Sequence, residues 1–266
     1  MSKSNKKNRV LLLELIKTDF KLRYQGSVLG YMWAVLRPLL MFAILYVVFA
    51  KVLRFGGDIP HYPVYLLVGT VLWSFFTECT GQGIHSIEQR GDLIRKISFP
   101  KYIVVVSATS TALINLMINL CVVVIFALIN GVTPSLLWLL VPVSVLELYA
   151  LALGISLLLG AINVKFRDIG SIWEVLMQAM FYAVPIIYPL SMITATNPLV
   201  GKIMLLNPIA QVIQDVRHNL ITTTAETSWG YVGGWLSLIP ITIVILVFIV
   251  STVYFKKKAK YFAEEV

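Results

Sequence analysis

The run IVVVSATSTALINLMINLCVVVIFALIN, residues 103–130, holds 28 residues without one charged side chain. A hydrocarbon core about 30 Å thick takes roughly 20 apolar residues of helix, so a helix over residues 102–130 crosses a bilayer with length to spare. Four further stretches are of the same kind: residues 29–54, 62–85, 135–163 and 232–255. A sixth, in residues 170–221, starts apolar but is cut by Pro185 and Pro189. Proline removes a helical hydrogen bond and clashes with the preceding turn, so this segment is expected to bend or re-enter within protein. The pattern predicts an all-α integral membrane protein with six transmembrane helices in a single domain over residues 1–266. Composition agrees. The chain is 58% hydrophobic and 13% charged, where soluble domains carry roughly 25% charge. A soluble globule of this size could not hide that much apolar surface. Disorder, a disulfide scaffold and a collagenous fibre are excluded on the same grounds.

The net charge is +9, which in a soluble chain would suggest nucleic acid. Its distribution says otherwise. Of 22 Lys and Arg, 17 fall on one side of the expected membrane, in residues 3–23, 90–101, 165–167 and 256–260. The other side holds Lys51, Arg54, Lys202 and Arg217, and Arg37 lies within the first span. By the positive-inside rule both termini are cytoplasmic, and residues 256–266 form a cytoplasmic tail. No secretory signal is evident, so the first span is the expected insertion signal.

Three segments outside the bilayer carry information. Residues 9–24 are too charged to span. On a helical wheel Leu13, Ile16, Phe20 and Tyr24 form an apolar spine beside Glu14, Lys17 and Lys21, as expected for an amphipathic interface helix whose lysines meet anionic headgroups. Leu11, Leu15 and Leu22 fall off that spine and leave room for a protein neighbour. In residues 88–100, Asp92 is expected to cap a short helix with apolar Leu93, Ile94 and Ile97 and with Arg95 and Lys96 at its far end. Phe99-Pro100 stops it, and the result suits docking of a soluble partner. Asn207-Pro208 opens an amphipathic stretch to Ile221, with Ile209, Val212, Ile213 and Val216 on one face and Gln211, Asp215 and Arg217 elsewhere. With the broken segment it forms a small external cap.

The chain lacks a phosphate-binding GxxxxGK[ST] loop, HExxH, GxSxG and metal-ligand or CxxC spacing. No energy-converting or bond-making site is encoded, so no catalytic residue, metal or cofactor is expected in this chain. Cys79 and Cys121 read as small buried hydrophobes, and His85 and His218 as structural. Glu78 and Glu147 lie within spans, where ionisable groups are functional candidates. They fit a proton relay, or, equally, pairing with Arg37 or a wet cavity. Tyr31, Trp33, Tyr62, Trp73, Trp138, Trp173, Trp229 and Trp235 sit at helix ends, as an interfacial belt would. Phe75, Phe76, Phe181, Tyr182 and Tyr188 could line a path on which sugar rings stack.

Taken together, Arg23-Tyr24, Ser27, Leu29-Gly30, Trp33 and Arg37-Pro38 resemble the start of the first membrane helix in permease subunits of ABC-2 type polysaccharide exporters. Leu72-Trp73-Ser74-Phe75-Phe76-Thr77-Glu78 is similar to that family's second helix. Gly91-Asp92-Leu93-Ile94-Arg95-Lys96 with Phe99-Pro100-Lys101 is similar to its cytoplasmic coupling helix. Arg167-Asp168-Ile169, Val184-Pro185-Ile186-Ile187-Tyr188-Pro189, Asn207-Pro208 and Tyr261-Phe262-Ala263 match its remaining landmarks, so the likeness covers nearly the whole chain in order. The resemblance implies a homodimer joined to two ATP-binding subunits that bind MgATP, in a bacterial cytoplasmic membrane. The implied cargo is a lipid-linked glycan such as an O-antigen, a teichoic acid or a rhamnose-rich wall polysaccharide. Asp92 through Lys96, with Phe99 and Pro100, would couple to the ATPase. Lys17, Lys21, Arg23, Tyr24, Ser27, Trp33 and Arg37 would form the interface helix and the start of the first span. Phe75, Phe76, Glu78, Phe181, Tyr182, Pro185, Tyr188 and Pro189 would line the conduit and its gate. The competing readings are an ABC-2 drug or lipid exporter, a proton-coupled carrier and a membrane-embedded transferase.

Overall fold

The computed structural model describes residues 3–54 and 59–265, apart from the side chains of residues 3–5 and of Tyr24. Among the described residues every regular element is helical. The order is α1 (Lys3–Tyr24), α2 (Trp33–Leu45), α3 (Tyr62–Gln89), α4 (Gly91–Lys96), α5 (Tyr102–Ile129) and α6 (Val141–Asn163). Then follow α7 (Ile169–Ala183), α8 (Leu190–Thr196), α9 (Pro198–Leu205), α10 (Pro208–Leu220), α11 (Ile239–Lys258) and α12 (Phe262–Glu265). Prolines mark the starts: Pro63, Pro142, Pro198, Pro208 and Pro240 each stand at the first or second helical position. There the missing N–H costs nothing and the fixed φ favours a helix. Asn197 and Asn207 cap α9 and α10 with their side-chain oxygens.

Among the described residues five helices are long and apolar enough to cross a membrane: Gly30–Val52, Tyr62–Gln89, Tyr102–Ile129, Leu136–Asn163 and Gly234–Lys258. Tight 3-10 turns precede α2, α6 and α11, and a wider π-helical stretch, Tyr46–Val52, continues α2, which brings them to these lengths. The interrupted stretch behaves as its prolines dictate. α7 has 15 residues, about 22 Å at 1.5 Å per residue, and ends two residues before Pro185. The chain then passes through a turn and bends at residues 184–188 before α8, α9 and α10.

α3 is the central helix. Of its most apolar 18 residues 78% are buried, against 11% in the span built on α2. α5 and α6 flank it, and α11 packs on the far side of α6. The α3–α6 approach is close because Gly83 faces Ser156. A Cβ on Gly83 would lie 2.3 Å from the Ser156 side chain, the small-residue packing that membrane helices favour.

The C-terminal end of the chain gathers where α4 lies. Ile87, Ile94, Val104, Val105, Phe255 and Phe262 share a core there, with the Phe255 and Phe262 rings edge to face at 5.3 Å. The tail is therefore anchored by Phe262, which is fully buried. α1 packs along α5, but on a face rotated from the expected spine. Leu15 is buried, whereas Leu13 is 55% exposed. A single apolar spine predicts the face toward lipid, and of the leucines off that spine the protein neighbour took Leu15, while Leu11 is half-buried and Leu22 stays exposed. Cys79 is buried as expected, but Cys121 is exposed on the surface of α5. Of the aromatic belt, Tyr31, Trp33, Trp229 and Trp235 are exposed, whereas Tyr62 and Trp73 are buried in packing.

Candidate functional site

One face of α3 carries the polar residues of the molecule's interior. Thr70, Ser74, Thr77, Glu78, Gly81, Gln82 and Ser86 recur at spacings of three and four, which places them in a stripe. Three cavities lie along this stripe. The first, about 630 Å³, is lined by Asp19 and Arg23 from α1, by Gln82, Ser86 and Arg90 from α3 and its end, and by Ser107 from α5. The second, about 650 Å³, shares Arg23 and Gln82 with it and adds Ser27, Trp33, Arg37, Glu78 and Asn115. The third, about 620 Å³, shares Ser74, Thr77 and Gly81 with the second and adds Trp73, Trp173, Phe181 and Tyr182. From Arg90 to Thr70 is 20 residues, about 30 Å of helix. The three cavities thus form a groove as long as a hydrocarbon core is thick.

Its α4 end is an ionic clamp. Arg90 donates to Asp19, and the Ser107 hydroxyl donates to the same carboxylate at 3.3 Å. Glu78 Oε1 accepts from Arg23 at 2.5 Å, Asn115 at 2.7 Å and Gln82 at 3.1 Å. These bonds tie α1 to α3 and α5. Glu78 therefore pairs with Arg23, and not with Arg37. Arg37 lines the second cavity and makes no hydrogen bond or ion pair among the described residues. Asn119 donates to the Ala34 carbonyl at 3.0 Å and holds α2 in place. The cap end of the groove is aromatic. Trp73 and Phe181 lie 6.0 Å apart, Phe181 and Tyr182 meet edge to face at 5.3 Å, and the Trp173 indole donates to Thr80 at 2.9 Å.

Two expected conduit residues lie elsewhere. Phe75 and Phe76 are buried on the opposite side of α3, because successive helical residues advance about 100° and only the Ser74, Thr77 and Glu78 face meets the groove. Pro185 is also buried, and it serves a latch. The non-helical stretch after α7 leaves carbonyls without helical partners, and apolar surroundings demand that each be satisfied. Arg217 donates to the carbonyls of Pro185 and Ile186, both at 2.6 Å, and of Tyr65 at 3.1 Å. Its fourth bond goes to Gln214 at 3.0 Å, and the guanidinium sits 3.5 Å over the Tyr65 ring. Tyr62 donates to the Ile187 carbonyl at 2.8 Å. Gly69 makes room for this latch, since a Cβ there would lie 2.4 Å from Arg217 Nη2. The sequence reading set Arg217 on the polar face of α10, yet it is fully buried. Tyr188 donates to the Tyr182 carbonyl at 3.0 Å, and Pro189 precedes α8 beside a small cavity in the cap.

Glu147 joins a different group. Gln211 Nε2 reaches Asp215 at 2.5 Å and Glu147 at 3.5 Å. His218 meets the Ala225 carbonyl at 3.0 Å, and His85 packs against Gly170.

A model of ABC-2 type transporters matches residues 10–221, from α1 through the cap. The chain belongs to the ABC-2 type transporter family. Among its relatives, an O-antigen export system permease protein of Myxococcus xanthus is 34% identical over 73% of this chain and 77% of its own. One of the same description from Klebsiella pneumoniae is 28% identical over 94% and 93%. A polysialic acid transport protein of Escherichia coli is 22% identical over 86% of each.

In this ABC-2 chain the segment expected to couple to an ATPase is shorter and differently capped than its residues suggested. α4 has six residues and follows α3 after one residue. Asp92 is not the cap: Arg90 holds that position, and Asp92 accepts from Arg95 at 2.9 Å, a contact that holds its carboxyl below the usual range. Ile94 is buried in the core beneath and unavailable to a partner, whereas Asp92, Arg95, Lys96 and Ile97 are exposed. Leu93, Phe99 and Pro100 are half-buried. Lys101 donates to the Ile94 carbonyl at 2.9 Å and closes the turn. Lys17 and Lys21 are exposed on α1, and the side chain of Tyr24 lies outside the described residues. Asp19 was missed by the sequence reading. The signal for it is an acid set four residues from Leu15 on the face α1 buries.

Proposed function

We propose that this chain is the membrane permease of an ATP-driven exporter of lipid-linked cell-surface polysaccharide. Two copies would work with two ATP-binding subunits that hold MgATP. The observation that carries this reading is the groove along α3. It is as long as a bilayer core, hydrogen-bonding and charged at its α4 end, and lined by aromatic rings at its cap end. A glycan fits such a lining, because its hydroxyls exchange hydrogen bonds and its C–H faces stack on rings. The relatives that export O-antigen and polysialic acid support the same cargo class.

The exposed charges of α4 are the docking surface for the ATP-binding subunit, and the basic residues gathered at that end support a cytoplasmic position for it. α7 and the cap together make the sixth crossing, which leaves both termini cytoplasmic. Transport needs a bias between two states, and the ATP-binding subunit supplies it by acting on α4 and α1.

The test is co-expression with the ATP-binding subunit encoded beside this chain. The two are expected to co-purify, and cells lacking the pair to accumulate lipid-linked glycan inside. Arg95→Glu with Lys96→Glu is expected to abolish co-purification and export while leaving thermal stability unchanged, because both side chains are exposed. Unchanged export in that double variant would remove α4 from the coupling role. Failure to bind any ATP-binding subunit would overturn the function itself.

A further inference from the structure

The second cavity of the groove holds two arginines against a single carboxylate. Arg23, Arg37, Trp33, Ser27 and Ser74 face it, and the one carboxylate, Glu78, already accepts three bonds on a single oxygen. Arg37 stands seven residues past Gly30, about 10 Å along the first span. A guanidinium at that depth in an apolar helix is costly without an anion, and none of the carboxylates among the described residues pairs with it. Its five donors form a rigid fork that matches phosphate oxygens. Beyond Arg37 on the same helical face, Leu40, Met41, Ile44 and Val48 are all exposed, at offsets of three, four, seven and eleven residues. A cationic point thus leads into an apolar strip toward the middle of the membrane.

We propose that Arg37 binds the phosphate head of an anionic lipid whose hydrocarbon chain lies along that strip. The ligand class is a lipid phosphate drawn about a third of the way into the apolar layer. This proposal rests on the export reading and deepens it: the head engaged is that of the carrier to which the glycan is attached, a polyprenyl diphosphate, rather than a resident phospholipid.

The test uses the purified full chain in detergent, without the ATP-binding subunit, so its outcome is independent of the co-purification experiment. Binding of a long-chain polyprenyl diphosphate is compared with that of the neutral polyprenol, phosphatidylglycerol and inorganic diphosphate. The diphosphate lipid is expected to bind the wild type at least tenfold more tightly than each of the other three. Arg37→Gln is expected to reduce that affinity at least tenfold, with Arg37→Lys between the two. Thermal stability should not change, because Arg37 has no bond to lose. Equal affinity for the neutral polyprenol, or undiminished binding in Arg37→Gln, overturns the proposal. Equal binding of phosphatidylglycerol overturns the choice of a carrier lipid. Wild-type lipid affinity with altered subunit assembly in Arg37→Gln assigns the residue to a contact between copies and overturns the proposal as well.

Discussion

Arg217 in the cap and Arg37 in the first span are both guanidiniums among apolar residues, yet one gives four hydrogen bonds to its own chain and the other gives none. Arg217 is fully buried, stacked on Tyr65, and holds carbonyls that the proline break left without partners. Arg37 faces an open cavity of about 650 Å³. The first is consumed by the fold and the second is left over for something else. The same contrast separates the two glutamates. Glu78 accepts three bonds, from Arg23, Gln82 and Asn115, whereas Glu147 has a single 3.5 Å contact with Gln211 and its buried Oε1 has no partner among the described residues. A charge inside a membrane protein is informative only once its partners are counted.

Removing Arg217 tests the closed side of this comparison with the largest expected effect. Arg217→Ala would leave buried carbonyls unsatisfied at about 1–3 kcal/mol each, on the order of 3–5 kcal/mol together. It is expected to lower the thermal midpoint sharply and to open residues 184–207 to protease. Arg217→Lys should rescue little, because one ammonium cannot span carbonyls that a planar fork reaches. Wild-type stability in Arg217→Ala would break the comparison.

A smaller effect is expected at the clamp. Arg23 and Glu78 are about a quarter exposed, so their pair is worth about 1 kcal/mol or less. Glu78→Gln should barely move the midpoint while raising hydrogen exchange in α1, which the pair ties to α3. Exchange in α1 that stays at the wild-type level would show that packing on α5 alone holds it.

The smallest effect is a pH dependence in the cap. Burial raises the Asp215 carboxyl from 3.8 to about 6, partly opposed by the hydrogen bond from Gln211. The folded state therefore keeps a proton that the unfolded state releases near pH 4. The associated stability is fully present below about pH 4 and is lost as pH rises through about 6. The wild type should melt higher at pH 5 than at pH 7, and Asp215→Asn should narrow that difference. An unchanged difference in the variant would place the titration elsewhere.

The spans, the break at Pro185 and the start of α10 at Asn207-Pro208 were legible because each rests on local physics. Helix length against bilayer thickness, a missing N–H and a side chain that folds back two residues all lie within one stretch. The groove was half legible. Phe181 and Tyr182 line it as expected, but Phe75 and Phe76 do not, because their burial depends on which side of α3 the other helices occupy. Asp19 escaped notice because its partner Arg90 stands 71 residues away. Glu78 was open between several partners for the same reason, with Arg23 at a separation of 55. The leucines of α1 divided against expectation because α5 competes with lipid for them.

By itself the sequence determined that this is a helical membrane protein, where its long apolar spans lie, and which segments carry the positive charge. Those follow from short-range sterics, helix length and the cost of apolar surface in water. Only the tertiary structure decided which polar groups meet, which arginine is spent on carbonyls and which remains on the groove. Those outcomes turn on side chains far apart in the chain, and helix packing alone sets which of them come within hydrogen-bonding distance.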